Sequence, residues 1–479
     1  MSAPPALAAT DVDAAPRRSG RRPPPWALFA LGALPLALGG IVDVPRTRAV
    51  GPMSGLGALT VGESVVAAFV LLACARYPRR LLTRLAPLGA LLAWGLASLA
   101  WAPPDVHGLQ NFVAYVLLGA SVASAGALAA RSRARTELVL EWGVRVLDVV
   151  ALGLVAASLA RQGWTLAMQE ARWLVQPRAV ALTGLAPLAW HLARWYYGRA
   201  WDLIPVTLWV AAMFVSLSRM ATATALVLVA TTAVLHYRAR PRAGLPRLAL
   251  PGIGLALALG AVLTVGPFRA RVFRGDAARP GTTVTLDNAE INDSDRPLFW
   301  AHVTASALEA PIVGKGIGSS QAVMNDRWPD VGHPHNDYLR IWHDLGLVGL
   351  VALVAAFVTW GRALVRDWRR AERSGAAEGF GEGDATGDDA SGQLALAGLL
   401  ALVGLMLPMV TDNAIIYPFV VGPVGVLVGA GLGAGALSAG GRRPAPGATP
   451  LAPRGTLADP MDARWAWEPR YPIRRRRRG

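Results

Sequence analysis

Apolar runs of membrane-spanning length recur along nearly the whole chain, separated by short arginine-rich stretches. A bilayer core about 30 Å thick takes about 20 apolar residues of helix to cross. Only helices and closed barrels satisfy their own backbone groups there. The runs fall at roughly 26–42, 55–75, 85–101, 110–130, 138–160, 179–196, 201–217, 220–237, 247–268, 345–366, 393–411 and 415–437. This pattern predicts an all-α polytopic membrane protein with about twelve transmembrane helices. A chain of 479 residues that is 53% hydrophobic and only 16% charged, with mean hydropathy +0.39, is too apolar for a soluble protein.

The arginines fix the expected orientation. Arg17, Arg18, Arg21 and Arg22 precede the first run; Arg76, Arg79, Arg80 and Arg84 follow the second; Arg131, Arg133 and Arg135 follow the fourth. Arg238, Arg240 and Arg242 follow the eighth, and Arg362, Arg366, Arg369 and Arg370 the tenth. All fall on one side of a twelve-span layout, which places that side and both tails in the cytoplasm. The net charge of +16 is thus accounted for by topology, with membrane lipid and not nucleic acid as the partner. Cys74 is the only cysteine, so no intramolecular disulfide and no thiolate metal site can form.

The same layout divides the chain. Residues 1–25 read as a disordered cytoplasmic tail and 26–268 as a membrane bundle of about nine helices. Residues 269–344 form one large outer loop. Residues 345–437 carry about three more helices, with a flexible Gly/Asp/Glu/Ala linker at 374–393. Residues 438–479 read as a disordered basic cytoplasmic tail ending in RRRRRG. Inside the apolar run at 138–160, Arg145 and Asp148 stand three apart on one helix face and read as a structural pair.

Three polar features converge on the outer face. His335-Asn336 ends the large loop, followed after nine residues by Gly346 and after two more by Gly349. Arg219 closes Ser216-Leu217-Ser218-Arg219 at the outer junction of the seventh and eighth spans, and Arg296 opens the segment Arg296-Pro297-Leu298-Phe299-Trp300. A guanidinium is a fixed fork of donors suited to phosphate oxygens. An imidazole titrates near neutrality and can take a proton from an attacking hydroxyl. No His/Asp/Glu cluster has metal-ligand spacing, and the triplet Asp293-Ser294-Asp295 reads as solvated loop acids, so no metal or other cofactor is expected. Gly314-Lys315-Gly316-Ile317-Gly318 lacks the context and ending of a phosphate loop and reads as a tight turn. On these residues alone, catalysis, transport and a structural role all remain open.

The spacing His335-Asn336-x9-Gly346-xx-Gly349 resembles the His-(Asn/Ser/Gln)-x9-Gly-xx-(Gly/Thr/Tyr) signature of O-antigen ligases and the related O-antigen polymerases. The order Ser-x-Ser-Arg219, then a large loop with Arg296…Trp300…Pro311…Gly314-x-Gly316-x-Gly318, then HNDYL…GLVGL, is also similar, over roughly residues 170–365. Arg178…Leu182-Thr183-Gly184 resembles the family's Arg-x-x-Gly segment, but Leu185-Ala186-Pro187-Leu188 follows where Pro-Asn is frequent. The resemblance implies a GT-C-like membrane glycosyltransferase in the bacterial inner membrane with its site facing the periplasm. It implies a polyprenyl-diphosphate-linked glycan as donor and the lipid A–core or another glycan as acceptor. By position, Arg219 and Arg296 match the diphosphate-binding arginines and His335 the catalytic histidine, with Asn336 and Arg178 in support. A polymerase of the same family, and a transporter of lipid-linked glycans, are the alternatives. The topology predicts that a reporter fused at Gly281 is active only in the periplasm and one at Gly387 only in the cytoplasm. The reverse pattern at either site contradicts it.

Overall fold

A computed structural model describes residues 49–50, 53–54, 62, 79–104, 106–167, 176–239, 260, 283–286, 289–292, 295–329, 331–377 and 387–438. Apart from residues 62, 260 and 438, the spans expected at 26–42, 55–75 and 247–268 and both terminal tails lie outside these residues; of the 374–393 linker, 378–386 lie outside, while 374–377 and 387–393 are helical. The described part is helical, apart from two short antiparallel hairpins at Ala49–Val50/Met53–Ser54 and Thr283–Leu286/Ala289–Asn292.

Among the described residues, seven helices are long and apolar enough to cross a membrane. The first are α1 (Arg79–Ser98), α2 (Val106–Ala129) and α3 (Arg133–Leu147), the last running through a π-turn at Asp148–Leu152 into α4 (Gly153–Ala167). The run expected as one span at 179–196 is instead two pieces, α5 (Pro177–Thr183) and α6 (Leu185–Tyr196), broken at Gly184. Every residue of α6 is buried, so it fills the bundle core and presents no face to lipid. The next run is the short α7 (Leu203–Val215), followed by α8 (Arg219–Ala239). Outside the bundle lie α9 (Arg296–Ala307) and α10 (Ser319–Arg327). The last three are α11 (Asp337–Ala377), α12 (Gly387–Met406) and α13 (Pro418–Ser438).

Small residues set how closely the helices approach. Gly425, Gly429 and Gly433 recur every four residues along α13, which puts them on one face. A Cβ at Gly429 would lie 2.2 Å from the Val122 carbonyl oxygen, and one at Gly433 2.0 Å from that of Gly126. The backbones of α2 and α13 therefore touch, as small-residue spacing allows when lipid offers no hydrophobic drive between helices. At one end of the bundle, Arg84 pairs with Asp367 at 2.9 Å and donates to the Leu432 carbonyl at 2.7 Å, joining α1, α11 and α13.

The expected pairing of Arg145 with Asp148 does not form. Arg145 pairs with Glu141, one helical turn back. Asp148 instead accepts from His191 Nε2 at 2.9 Å and from the Trp209 indole at 2.7 Å, while His191 Nδ1 reaches Asp202 at 2.6 Å. A half-buried carboxylate takes whichever donors converge on it. Here α6 and α7 supply them, a long-range fact that i,i+3 spacing does not carry.

The helix expected from residue 345 begins earlier, at Asp337, and is broken at Gly346, whose φ of 65° and ψ of −169° lie outside the helical region. Residues 337–345 are thus a helical end of the outer loop. A Cβ on Gly346 would sit 2.1 Å from the Ile312 carbonyl oxygen, so the turn needs glycine for conformation and for space.

The packing predicts the effect of two glycine changes. Gly433→Val should cost about 1–3 kcal/mol by overpacking, read as a lower unfolding temperature in detergent. Gly143→Ala, with nothing within 4 Å of its Cβ, should be neutral or slightly stabilising. Equal stability of Gly433→Val and the parent would refute the close contact.

Candidate active site at the outer end of the bundle

The start of α11 builds the site. Asn336 Oδ1 accepts from the Leu339 amide at 3.0 Å, and the Arg340 amide reaches the Asn336 carbonyl at 2.9 Å. Asn336 is therefore an N-cap, which satisfies an amide that the first helical turn leaves unpaired. The residue before it, His335, has φ of +52°, a left-handed conformation uncommon outside glycine. Such a position persists only where its surroundings hold it.

What holds it is the turn between α12 and α13, made of 3₁₀ turns at Pro408–Val410 and Ala414–Ile416. Asp337, the first residue of α11, accepts the Ile415 amide on Oδ2 at 2.9 Å. Arg340, fully buried three residues later, donates from Nη2 to Asn413 Oδ1 at 2.5 Å and lies 3.8 Å from Asp337 Oδ1. The imidazole of His335 then meets this turn through Nδ1, at 3.1 Å from Asn413 Nδ2 and 3.7 Å from Asp412 Oδ1. Its Nε2 has no protein partner among the described residues, and the side chain keeps 20% exposure.

Electrostatics at the turn favour a charged carboxylate. Burial works to raise the Asp412 pKa. The contact with His335, the positive charge of Arg178 and the Asn413 amide at 2.9 Å outweigh it and hold the carboxyl below its ordinary value. Arg178 is exposed in the first turn of α5. The structure therefore brings Arg178, His335 and Asp412 within electrostatic reach of one another.

Arg219 and Arg296 are placed by their helices. Arg219 is half-buried at the first position of α8, just after Leu217 with φ of 55°, and α8 packs on the Pro408–Val410 turn. Arg296 is half-buried at the first position of α9, after Asp295 in a left-handed conformation. One turn along α9, Trp300 donates its indole N–H to the Pro334 carbonyl at 2.9 Å, beside His335. Residues four apart share a helix face, so Arg296 and Trp300 stand on one face of α9. Phe299, Val303, Met324, Trp300, Trp328 and Leu339 form a small separate core that fixes α9 and α10 over α11.

The glycine-rich run is a docking turn. Asp344 accepts the Gly318 amide at 3.0 Å and the Ser320 amide at 2.7 Å, and its carbonyl takes the Gly316 amide at 2.9 Å. The amides a phosphate would need are thus occupied. His343, fully buried, bridges Ser319 Oγ and Ser306 Oγ at 3.0 Å each, and Lys315 Nζ donates to Ser306 at 2.9 Å. Among the described residues no three His, Cys, Asp or Glu side chains group as metal ligands. Asp295 of the DSD triplet is described and Asp293 is not.

Sequence reasoning missed Asp337, Arg340, Asp412 and Asn413. One signal was available: Thr411-Asp412-Asn413 is a polar triplet between two apolar spans.

The fold is that of an integral membrane protein with a polar site at one end of a helical bundle. Residues 204–354 match the family model described as O-Antigen ligase, a range that contains Arg219, Arg296, His335, Gly346 and Gly349. Over that segment the chain is similar to the O-antigen ligases. A search of the curated proteins finds no match.

The second network generates a prediction about His343. His343→Ala removes a buried, doubly bonded imidazole and should destabilise the protein by about 1–3 kcal/mol, while the turnover of the molecules that remain folded stays near normal. A stable His343→Ala protein with no turnover would instead make His343 part of the chemistry.

Proposed function

We propose that this protein is a glycosyltransferase of the bacterial inner membrane. It moves a glycan from undecaprenyl diphosphate to an acceptor hydroxyl, with the lipid A–core as the acceptor of an O-antigen ligase. The arginine-rich end of the bundle faces the cytoplasm and the His335 end the periplasm. With the undescribed apolar runs included, the bundle has about twelve spans and a GT-C-like plan. The observation that carries this proposal is the setting of His335. It stands at a partly exposed, capped helix start, its Nδ1 beside Asn413 and an ionised Asp412 and its Nε2 without a protein partner among the described residues, inside the segment that matches the family.

In this account Arg219 and Arg296 hold the diphosphate, each offering a planar fork of donors to its oxygens. Arg178 keeps Asp412 charged, and Asn336 holds the helix start. His335 Nε2 takes the proton of the acceptor hydroxyl as the oxygen bonds to the anomeric carbon. The carrier diphosphate leaves from the opposite face, so the anomeric centre inverts. A diphosphate departs without a strong general acid, and no metal is used.

A reconstituted assay with a synthetic polyprenyl-diphosphate sugar and lipid A–core tests this. His335→Ala should insert normally and lose about a hundredfold to ten-thousandfold in rate. Arg219→Ala and Arg296→Ala should each weaken donor binding by about tenfold to a hundredfold, the worth of a charge-assisted hydrogen bond. Lysine should rescue only in part, and chelator should have no effect. Unchanged turnover in His335→Ala, at equal protein level, would return the transporter to first place.

A further inference from the structure

The orientation of the Asn413 side chain is fixed by chemistry. Arg340 has donors only, and its Nη2 lies 2.5 Å from one end of the Asn413 amide, so that end must be the oxygen. The other end, 3.1 Å from His335 Nδ1, is then the NH₂ group. An NH₂ group can only donate, so Nδ1 must offer its lone pair. A neutral imidazole carries one proton, which is thereby placed on Nε2. A ring that is to accept a proton on Nε2 needs the opposite tautomer, with the hydrogen on Nδ1 and an acceptor facing it. Asp412 Oδ1, 3.7 Å from the same Nδ1, is that acceptor.

We propose that Asn413 is a positioning residue that sets where the proton sits on His335: it holds the resting ring with hydrogen on Nε2, and the ring becomes a base only when Nδ1 passes from Asn413 to Asp412. The proposal rests on His335 being the base of the transfer. The protons balance through the imidazolium. Nδ1 gains a proton from water as it turns to Asp412, and Nε2 then releases its own to water. The neutral ring that results is hydrogen-bonded to Asp412 and has its lone pair on Nε2. The acceptor hydroxyl then gives its proton to that lone pair.

Among the described residues, four charged groups bear on the ring or its turn: Asp412, Arg178, Arg340 and Asp337. Asp412 lies beside it, and Asn413 stands between it and Arg340. Arg340 pairs with Asp337 behind the turn, and Arg178 acts on Asp412 from α5. Tyr417 lies on the same turn, its phenol held above its ordinary pKa by burial and so neutral. Replacing Asn413 by aspartate keeps the acceptor for Arg340 and removes the NH₂ group, giving Nδ1–H a carboxylate on either side.

The test uses full-length protein in lipid nanodiscs containing histidine labelled with ¹⁵N at Nδ1 only, with His335 assigned among the 7 histidines by difference from His335→Gln. In the neutral ring of the parent, Nδ1 should give an unprotonated signal. In Asn413→Asp it should give a protonated one, and the acidic limb of the pH–rate profile should move to higher pH by about one unit or more, as expected for a new carboxylate beside an imidazole. A protonated Nδ1 in the neutral parent would overturn the proposal, even if Asn413→Asp fails to fold. So would an unchanged signal and profile in a folded Asn413→Asp. The two levels separate: an unprotonated Nδ1 with full activity in His335→Ala would reject the catalytic role alone, and a protonated Nδ1 with an inactive His335→Ala would reject only the role of Asn413.

Discussion

The site depends on one buried polar clasp. Asp337 and Arg340, both in the first turn of α11, reach across to the turn between α12 and α13 and bind it at Ile415 and Asn413. Both side chains are fully buried, so each must be compensated where it lies. Breaking either bond to the turn costs about 1.5–3 kcal/mol, as for a hydrogen bond to a charged group. That cost locks the turn to the helix start. The lock in turn keeps His335 in its left-handed conformation, with Nδ1 against Asp412 and Asn413. Arginine is suited to this position because it stays charged at any physiological pH and offers several donors in fixed directions.

The clasp also gives physical content to the signature around His335. Asn336 caps the helix, which explains an Asn, Ser or Gln there: each carries an oxygen that can accept an amide. Gly346 ends the outer helical segment and admits the Ile312 carbonyl. Gly349 sits where a Cβ would lie 2.2 Å from the Leu345 Cβ. Two of the pattern's positions thus shape the backbone, one caps it, and one presents a titratable ring. Asp344, two residues before the break, receives the glycine-rich turn and ties the outer helices to the same segment.

The membrane class was legible from hydropathy alone, because lipid demands long apolar helices. The ends of the helices were less so. The 179–196 run is apolar enough for a span, yet Gly184 divides it: a Cβ there would lie 2.4 Å from the Trp209 ring, so α7 packs directly on the break. Residues 337–345 looked like loop because Asp337, Arg340, His343 and Asp344 are charged or titratable. They are helical because each has a buried partner supplied by a distant segment. His335 was found by its spacing. Asp412 and Asn413 were not, because a pairing across 78 positions leaves no mark in local sequence. The same limit hid the Asp148–His191–Trp209 network behind an apparent Arg145–Asp148 pair.

If His335 takes the proton while the acceptor oxygen attacks the sugar carbon directly, the reaction is a single displacement. The most direct measurement is the anomeric configuration of the new glycosidic bond, read by NMR on product made by the purified protein from a donor of known configuration. The account predicts inversion at the anomeric carbon. Retention would require a double displacement or attack on the same face as the leaving diphosphate, and either would contradict a single opposite-face displacement with His335 as its base.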